Sequence, residues 1–142
     1  MRNAERAKAL LQQDGALTCV LCKGEEIYQS KEKGIAPMMH FLDAQTPLCG
    51  FGAADRIVGK AAAMLFALAG VEELFAEVIT PDAIRILERY GIAYSYATLT
   101  ERIINRAGTG ICPMEMAVEA IEEPAQAREA IRQTMQALKK QH

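Results

Sequence analysis

The spacing of apolar and polar residues along the chain predicts helices and strands in alternation. Residues 3–12 place apolar side chains at helical intervals, which predicts an amphipathic helix that ends before Asp14-Gly15. Two segments rich in β-forming residues follow at 16–22 and 26–30. The short polar connection 23–25 between them predicts an antiparallel hairpin.

The central part of the chain continues this alternation. A helix is predicted at 56–69, with Asp55 as its N-cap and a glycine at its end. A strand is predicted at 74–79, a helix begins at Thr80-Pro81, and a further strand is predicted at 92–98. Such alternation favours parallel strands joined by right-handed crossovers.

The remaining segments complete the predicted architecture. Residues 47–54 predict either a short strand or a loop, and further helices are predicted at 34–42, 100–105, 113–122 and 125–140. Together the elements predict an α/β fold with three α/β/α layers around a mixed sheet of about five strands. A chain of 142 residues is expected to form a single domain, residues 1–142.

Charge and composition exclude several classes of partner. The chain is 51% apolar and 24% charged, which is ordinary for a soluble globular protein. Its net charge is −2 and its basic residues are scattered, so no nucleic-acid partner is expected. The longest apolar run, 61–69, is about half a membrane span. With no membrane segment and no secretory signal, the prediction is a cytoplasmic protein with reduced thiols.

Few residues are available to hold a metal ion. Cys19 and Cys22 lie three apart in a predicted strand, so their side chains point to opposite faces and are interpreted as buried packing thiols. His40 and His142 are the only histidines. A zinc site or a Ser-His-Asp triad is hard to build from this set. The prediction is that the protein holds no metal and no cofactor.

Two glycine-containing segments lie close to the predicted helix 56–69. Gly50-x-Gly52 lacks the third glycine of a dinucleotide fingerprint, and Gly59-Lys60 lacks the Ser or Thr of a P-loop. Lys60 remains unusual, because a cation in the first helical turn opposes the helix dipole. Either its stem lies over apolar surface and its amine reaches water or Asp55, or it contributes to a ligand site.

The segment 105–115 has the highest density of candidate chemistry. A polar loop broken by glycines runs into Pro113, which favours the first position of a helix and places Cys112 at the N-cap. Free N–H groups at such a position lower a thiol pKa or bind an anion. Alternatively, Glu115 closes a capping box within its own helix and Arg106 pairs with an acid. The candidate ligand-binding residues of this segment are Asn105, Arg106, Gly108, Thr109, Gly110 and Glu115.

Four short segments carry a family resemblance. They are Leu17-Thr-Cys-Val-Leu, Ala54-Asp-Arg-Ile-Val-Gly-Lys-Ala-Ala-Ala, Ala76-Glu-Val-Ile and Gly108-Thr-Gly-Ile-Cys-Pro-Met-Glu. They resemble a small bacterial family, a domain of unknown function, that is placed in the cytidine-deaminase-like fold. The resemblance implies a fold but little chemistry.

True deaminases of that fold carry His-x-Glu at the start of the buried helix and Pro-Cys-x-x-Cys at the start of the next. This chain has Val58-Gly59-Lys60 and Pro81-Asp82-Ala83-Ile84-Arg85 instead. Hydrolytic deamination requires a metal-activated water and a carboxylate, so zinc-dependent deamination is not expected. The resemblance implies that Lys60 replaces the glutamate, with Glu77 as its partner.

The leading hypothesis is a metal-free protein that binds a small anionic or nucleotide-like ligand. Lys60 would supply charge, Asp55 and Thr109 hydrogen bonds, and the backbone of 108–112 an anion nest. One alternative is a thiol-dependent enzyme with Cys112 as nucleophile and Lys60 as base. Another is a non-catalytic regulatory or assembly protein, in which the alanine-rich helices and seven methionines support a homodimer.

Overall fold

A computed structural model of the chain describes residues 2–140 and contains a five-stranded sheet with helices on both faces. The strands are β1 (Cys19–Lys23), β2 (Glu26–Ser30), β3 (Gly52–Val58), β4 (Glu73–Ile79) and β5 (Ala93–Leu99). The helices are α1 (Arg2–Gln13), α2 (Ala36–Asp43), α3 (Lys60–Ala69), α4 (Pro81–Arg89), α5 (Pro113–Val118) and α6 (Pro124–Lys140). No helix of the described part of the chain is both long and apolar enough to cross a membrane.

The sheet is mixed, with strand order β2-β1-β3-β4-β5. Strand β1 pairs antiparallel with both β2 and β3, whereas β3, β4 and β5 are parallel. One row of partners across the sheet is Cys19, Asp55, Ala76 and Tyr96. The predicted hairpin and the predicted α/β fold with a mixed five-stranded sheet are confirmed.

Alternating side chains of the strands divide the core into two clusters. Helix α1 covers one face, where Leu11 packs in a cluster with Val20, Cys22 and Phe75. The other face carries a larger cluster that includes Cys19 and residues from each of the helices α2–α6. The two cysteines of β1 therefore lie on opposite faces of the sheet, both buried, as the sequence predicts.

The start of the buried helix differs from the prediction. Residues 52–58 form β3, so Asp55 lies within a strand and is not a helix N-cap. Helix α3 begins at Lys60, and its N-cap is Gly59 in an extended conformation. The reason is tertiary, because β3 fills the position between β1 and β4 and completes the hydrogen bonding of both strands.

The segment between β5 and α5 also differs from the prediction. Residues 100–105 form no helix; instead the chain turns back on itself through an isolated antiparallel bridge between Ile104 and Ile111. Asn105 favours a turn because its side chain bonds nearby backbone, and Gly108 adopts a φ of 73° that favours glycine. We call residues 103–111 the flap.

Candidate functional site

A cleft of about 140 Å³ lies over the N-terminal turns of α3 and α4, where β3 and β4 end. Open α/β sheets bind ligands at this edge, beyond the carboxyl ends of parallel strands. The flap and α5 form the opposite wall. The residues that line the cleft are Lys60, Thr80, Asp82, Glu101, Arg102, Ile103, Ile111, Glu115, Met116 and Glu119.

Glu115 caps helix α3 from a distance of more than fifty residues. Its Oε1 accepts a hydrogen bond from Lys60 N and its Oε2 one from Ala61 N, both at 2.8 Å. Gly59 makes this approach possible, since a Cβ at that position would lie 2.1 Å from Glu115 Oε1. Burial raises the pKa of Glu115, and the two backbone N–H groups offset part of that rise. The predicted capping box within α5 is therefore wrong, because the carboxylate serves a different helix.

Lys60 is buried, with 3% of its surface exposed, and its charge is satisfied within the protein. Its Nζ donates to Glu119 O at 2.9 Å and lies 2.7 Å from Glu122 Oε2. The predicted partner Glu77 instead pairs with Arg56. The predicted pairing of Lys60 with Glu77 is therefore wrong. The side chain of Lys60 is covered by α5 and the residues that follow it, and not by β4.

Glu122 connects Lys60 to helix α4. Its carboxylate also contacts Arg85 and Arg89. Hydrogen bonds from Arg85 and Lys60 lower the pKa of Glu122 to about 2, so it stays ionised at neutral pH. The cations around the cleft are thus already paired in part with this one acid.

Thr80 begins helix α4 as its sequence predicts. Its Oγ1 accepts a hydrogen bond from Ala83 N at 3.1 Å, and Pro81 follows at the first helical position. The hydroxyl is therefore already engaged, although Thr80 lines the cleft. Asp82 lies in the same turn and stays largely exposed.

The glycine-containing loop is bonded mainly to itself. Asn105 Oδ1 accepts from Thr109 N at 3.0 Å, and Asn105 Nδ2 donates to Thr109 Oγ1 at 3.2 Å. The backbone N–H of Gly108 donates to Asn105 O, and that of Asn105 to Gly110 O. Arg106 is exposed beside them. These five predicted ligand residues form the tip of the flap and do not line the cleft with Lys60.

Cys112 occupies the N-cap of α5, as the proline pattern predicts, but its side chain makes no capping hydrogen bond. It is partly exposed and is not one of the residues that line the cleft. The structure therefore does not bring Cys112 and Lys60 into one pocket. The hypothesis of a thiol nucleophile with a lysine base gains no geometric support.

Asp55 is buried within β3, with 7% of the residue exposed, and it does not line the cleft. Its Oδ1 accepts from Arg56 N at 2.7 Å. Burial raises its pKa to about 8, although bonds from the N–H groups of Arg56 and Ile57 oppose that rise. Its hydrogen bonds in the structure are therefore made within the sheet.

Arg56 is an organising residue that the sequence did not reveal. Its guanidinium donates to Leu17 O at 3.0 Å, Leu11 O at 2.9 Å and Asp14 O at 3.1 Å, and pairs with Glu77. It joins the end of α1 to β3 and β4. No local pattern signals such a role, because all its partners are distant in the chain.

Ligands for a metal ion do not converge in the described part of the chain. Within residues 2–140 no group of three or more His, Cys, Asp or Glu side chains is placed to hold an ion. His142 lies outside the described residues.

The sequence was compared with models of known protein families. A family model described as "TM1506: Domain of unknown function (DUF1893)" matches residues 6–135. The chain belongs to the DUF1893 family. This confirms the resemblance to a domain of unknown function.

Solved structures give three further likenesses. The crystal structure of a DUF1893 family protein (TM1506) from Thermotoga maritima is 26% identical, covers 96% of this chain and 91% of that one, and has a TM-score of 0.81. The dCMP deaminase of cyanophage S-TIM5 in its apo form is 12% identical over 70% of this chain and 94% of its own, with a TM-score of 0.44. Its complex with dCMP and dUMP is 11% identical over 66% and 92%, with a TM-score of 0.45. No curated protein matches the chain.

Proposed function

We propose that the protein binds a small, uncharged, nucleoside-like molecule in the cleft over α3 and α4. The observation that carries this proposal is the mixed lining of the cleft, which combines four carboxylates with three large apolar side chains. A flat heterocycle with amino groups satisfies both. Pockets for small ligands combine these two kinds of lining.

The charge of the lining argues against a phosphate as the recognised group. Four carboxylates line the cleft, whereas the cations that do so are Lys60 and Arg102. The amine of Lys60 is already bound to Glu122, and two of the N–H groups at the start of α3 are already bound to Glu115. An anion entering the cleft would meet net negative potential. Of the two ligand classes that the sequence suggested, anionic or nucleotide-like, we therefore propose an uncharged relative of the second.

The acceptors available to a ligand are the more exposed acids of the cleft. Asp82, Glu101 and Glu119 line the cleft and are exposed to solvent. A carboxylate accepts hydrogen bonds from an exocyclic amine. Adenine, cytosine and guanine carry such amines, whereas uracil does not.

The apolar wall comes from the flap and α5. Ile103, Ile111 and Met116 line the cleft, and 39% of Ile111 and 60% of Met116 remain exposed. These side chains are unusually accessible for their type, and a ring placed against them would bury apolar area. Each 100 Å² removed from water contributes about 2.5 kcal/mol before the costs of binding.

Calorimetric titration with adenosine, cytidine, guanosine, uridine and adenosine 5′-monophosphate tests the proposal. Nucleosides that carry an exocyclic amine are expected to bind, uridine to bind more weakly, and the monophosphate to bind about fivefold more weakly than adenosine at low salt. Binding of the monophosphate alone, or no binding of any nucleoside at millimolar concentration, would contradict the proposal.

A charge variant makes this test specific to the cleft. The double substitution Glu101→Gln and Glu119→Gln removes two carboxylates from the cleft. It is expected to reduce the difference in binding affinity between adenosine and adenosine 5′-monophosphate. The matched control is Glu25→Gln with Glu26→Gln, which removes the same charge at the β1–β2 hairpin. If the control narrows the difference equally, the effect belongs to overall charge and not to the cleft.

A further inference from the structure

We propose that two copies of this chain associate through β5, which pairs antiparallel with its counterpart to join the two sheets. Among the described strands, β5 ends the sheet and is hydrogen-bonded to β4 alone. This inference is independent of the ligand proposed for the cleft.

Strand β5 is exposed along almost its whole length, although it carries no charged residue. Six of its seven residues are exposed, and Tyr94 is the half-buried exception. Tyr96 is 42% and Leu99 51% exposed. Such a strand, if left open, is a site of uncontrolled edge pairing, so a natural protein covers or charges it.

The two edges of the sheet differ in charge. Strand β2 carries Glu26 and is flanked by Glu25 and Lys31, and charges at an edge discourage pairing with another chain. Strand β5 has the sequence AYSYATL, with no charged residue and no proline. Of the two edge strands, β5 is therefore the one that lacks the charged residues or proline that discourage pairing with another chain.

The backbone of β5 offers donors and acceptors on its free side. Ala93 N donates to Glu72 O on the β4 side at 3.0 Å. Because N–H and C=O groups of successive residues alternate between the two sides of a strand, those of Tyr94 and Tyr96 point to the open edge. A second strand placed there would satisfy them.

The side chains favour a second copy as that strand. The rings of Tyr94 and Tyr96 lie on one face, stacked with centroids 6.4 Å apart and planes 13° from parallel. A two-fold axis perpendicular to the sheet keeps this face common to both copies and sets four tyrosines side by side. Aromatic cross-strand pairs stabilise a sheet, and an uncharged strand meets no like charge in its own copy. Pairing of β5 with β2 would be open-ended and would bring Glu26 to the interface.

Sedimentation velocity of the full chain over a range of concentrations tests this proposal. We expect a dimer of twice the 15.5 kDa chain mass at high concentration. Tyr96→Lys places one ammonium group from each copy on the shared tyrosine face and should raise the dimer dissociation constant at least about tenfold. A chain that stays monomeric throughout the range overturns the proposal.

The matched control is Ile27→Lys, which places the same charge on β2 at a side chain that is 38% exposed. Ile27→Lys should leave the dimer intact. If Ile27→Lys abolishes the dimer while Tyr96→Lys retains it, the interface lies at β2 and the proposal is contradicted. Hydrogen exchange on the unmodified protein is independent of either substitution. Protection of the Tyr94 and Tyr96 amides should rise with protein concentration, and protection that does not change contradicts β5 pairing.

Discussion

Two ionisable side chains in this protein find their hydrogen-bond partners far away along the chain. Lys60 bonds to Glu119 O, 59 residues on, and Glu115 bonds back to Lys60 N across 55 residues. Asp55 is held in the sheet by the backbone that follows it, opposite Cys19 of β1. The sequence singled out all three residues, but their contacts depend on tertiary neighbours that spacing alone does not reveal.

Asp55 should make the stability of the protein fall as pH rises. Its folded-state pKa of about 8 lies above the ordinary value of 3.8, so between those values the folded protein retains a proton that the unfolded chain has lost. The free energy of unfolding therefore decreases through that interval. Asp55→Asn keeps the acceptor for Arg56 N without the charge, and should raise the unfolding free energy by about 2 kcal/mol near pH 9 while changing it little near pH 5.

Urea denaturation across this pH range measures the effect of Asp55→Asn directly. Asp14→Asn is the matched control, because Asp14 is an exposed aspartate whose turn also suits asparagine. The variant and the control should differ at high pH only. An equal change at both pH values would show that Asp55 is not the titrating group.

At the level of helices and strands, two helices have their N-termini capped by a glutamate that is distant in the chain. The N-terminus of α1 is capped by Glu73, whose Oε1 accepts from Asn3 N and Ala4 N, and α3 is capped by Glu115. Each contact sits beside a glycine that allows the close approach, Gly52 for α1 and Gly59 for α3. The caps thus join elements that are distant in the chain, and they place α5 over the cleft.

A double-mutant cycle on Gly59 and Glu115 should show that they act through one contact. Glu115→Ala removes two capping hydrogen bonds and should lower the free energy of unfolding by about 1–2 kcal/mol. Gly59→Ala adds a Cβ that collides with the carboxylate and should cost a similar amount. Because either change breaks the same contact, the double variant should cost clearly less than the sum.

The control for this cycle is Glu119→Ala, on an exposed carboxylate whose contact with Lys60 is made by its backbone oxygen. It should change stability by less than about 0.5 kcal/mol. Additive costs for Gly59→Ala and Glu115→Ala would mean that the two residues stabilise the protein separately.

The elements that periodicity predicted well are those with local start and stop signals. The α4 helix has its Thr80-Pro81 cap, and the β1–β2 hairpin has a turn between two β-rich segments. Strand β3 was missed beyond residue 54, because the sheet position between β1 and β4 decides its length. The predicted helix at 100–105 failed because Asn105 and Gly108 form a turn.

For the whole molecule, the sequence predicted the fold better than the site. It identified Lys60 and the segment 105–115 as unusual, and the structure places Lys60 and Glu115 at one cleft. It did not predict that the tip of the flap lies outside the cleft, nor that Glu122 neutralises Lys60. Those outcomes depend on how the chain returns over α3 after β5, and no local pattern encodes that path.

A titration of ¹⁵N-labelled protein with adenosine tests most directly whether the proposed ligand binds in this cleft. We expect the amide shifts to concentrate at residues that line the cleft, above all Lys60, Ile111 and Met116, and to saturate as one site. The groove between α5 and α6, around Ala130 and Leu138, should stay unperturbed. Shifts centred on that groove, or no shifts at saturating adenosine, would contradict the account.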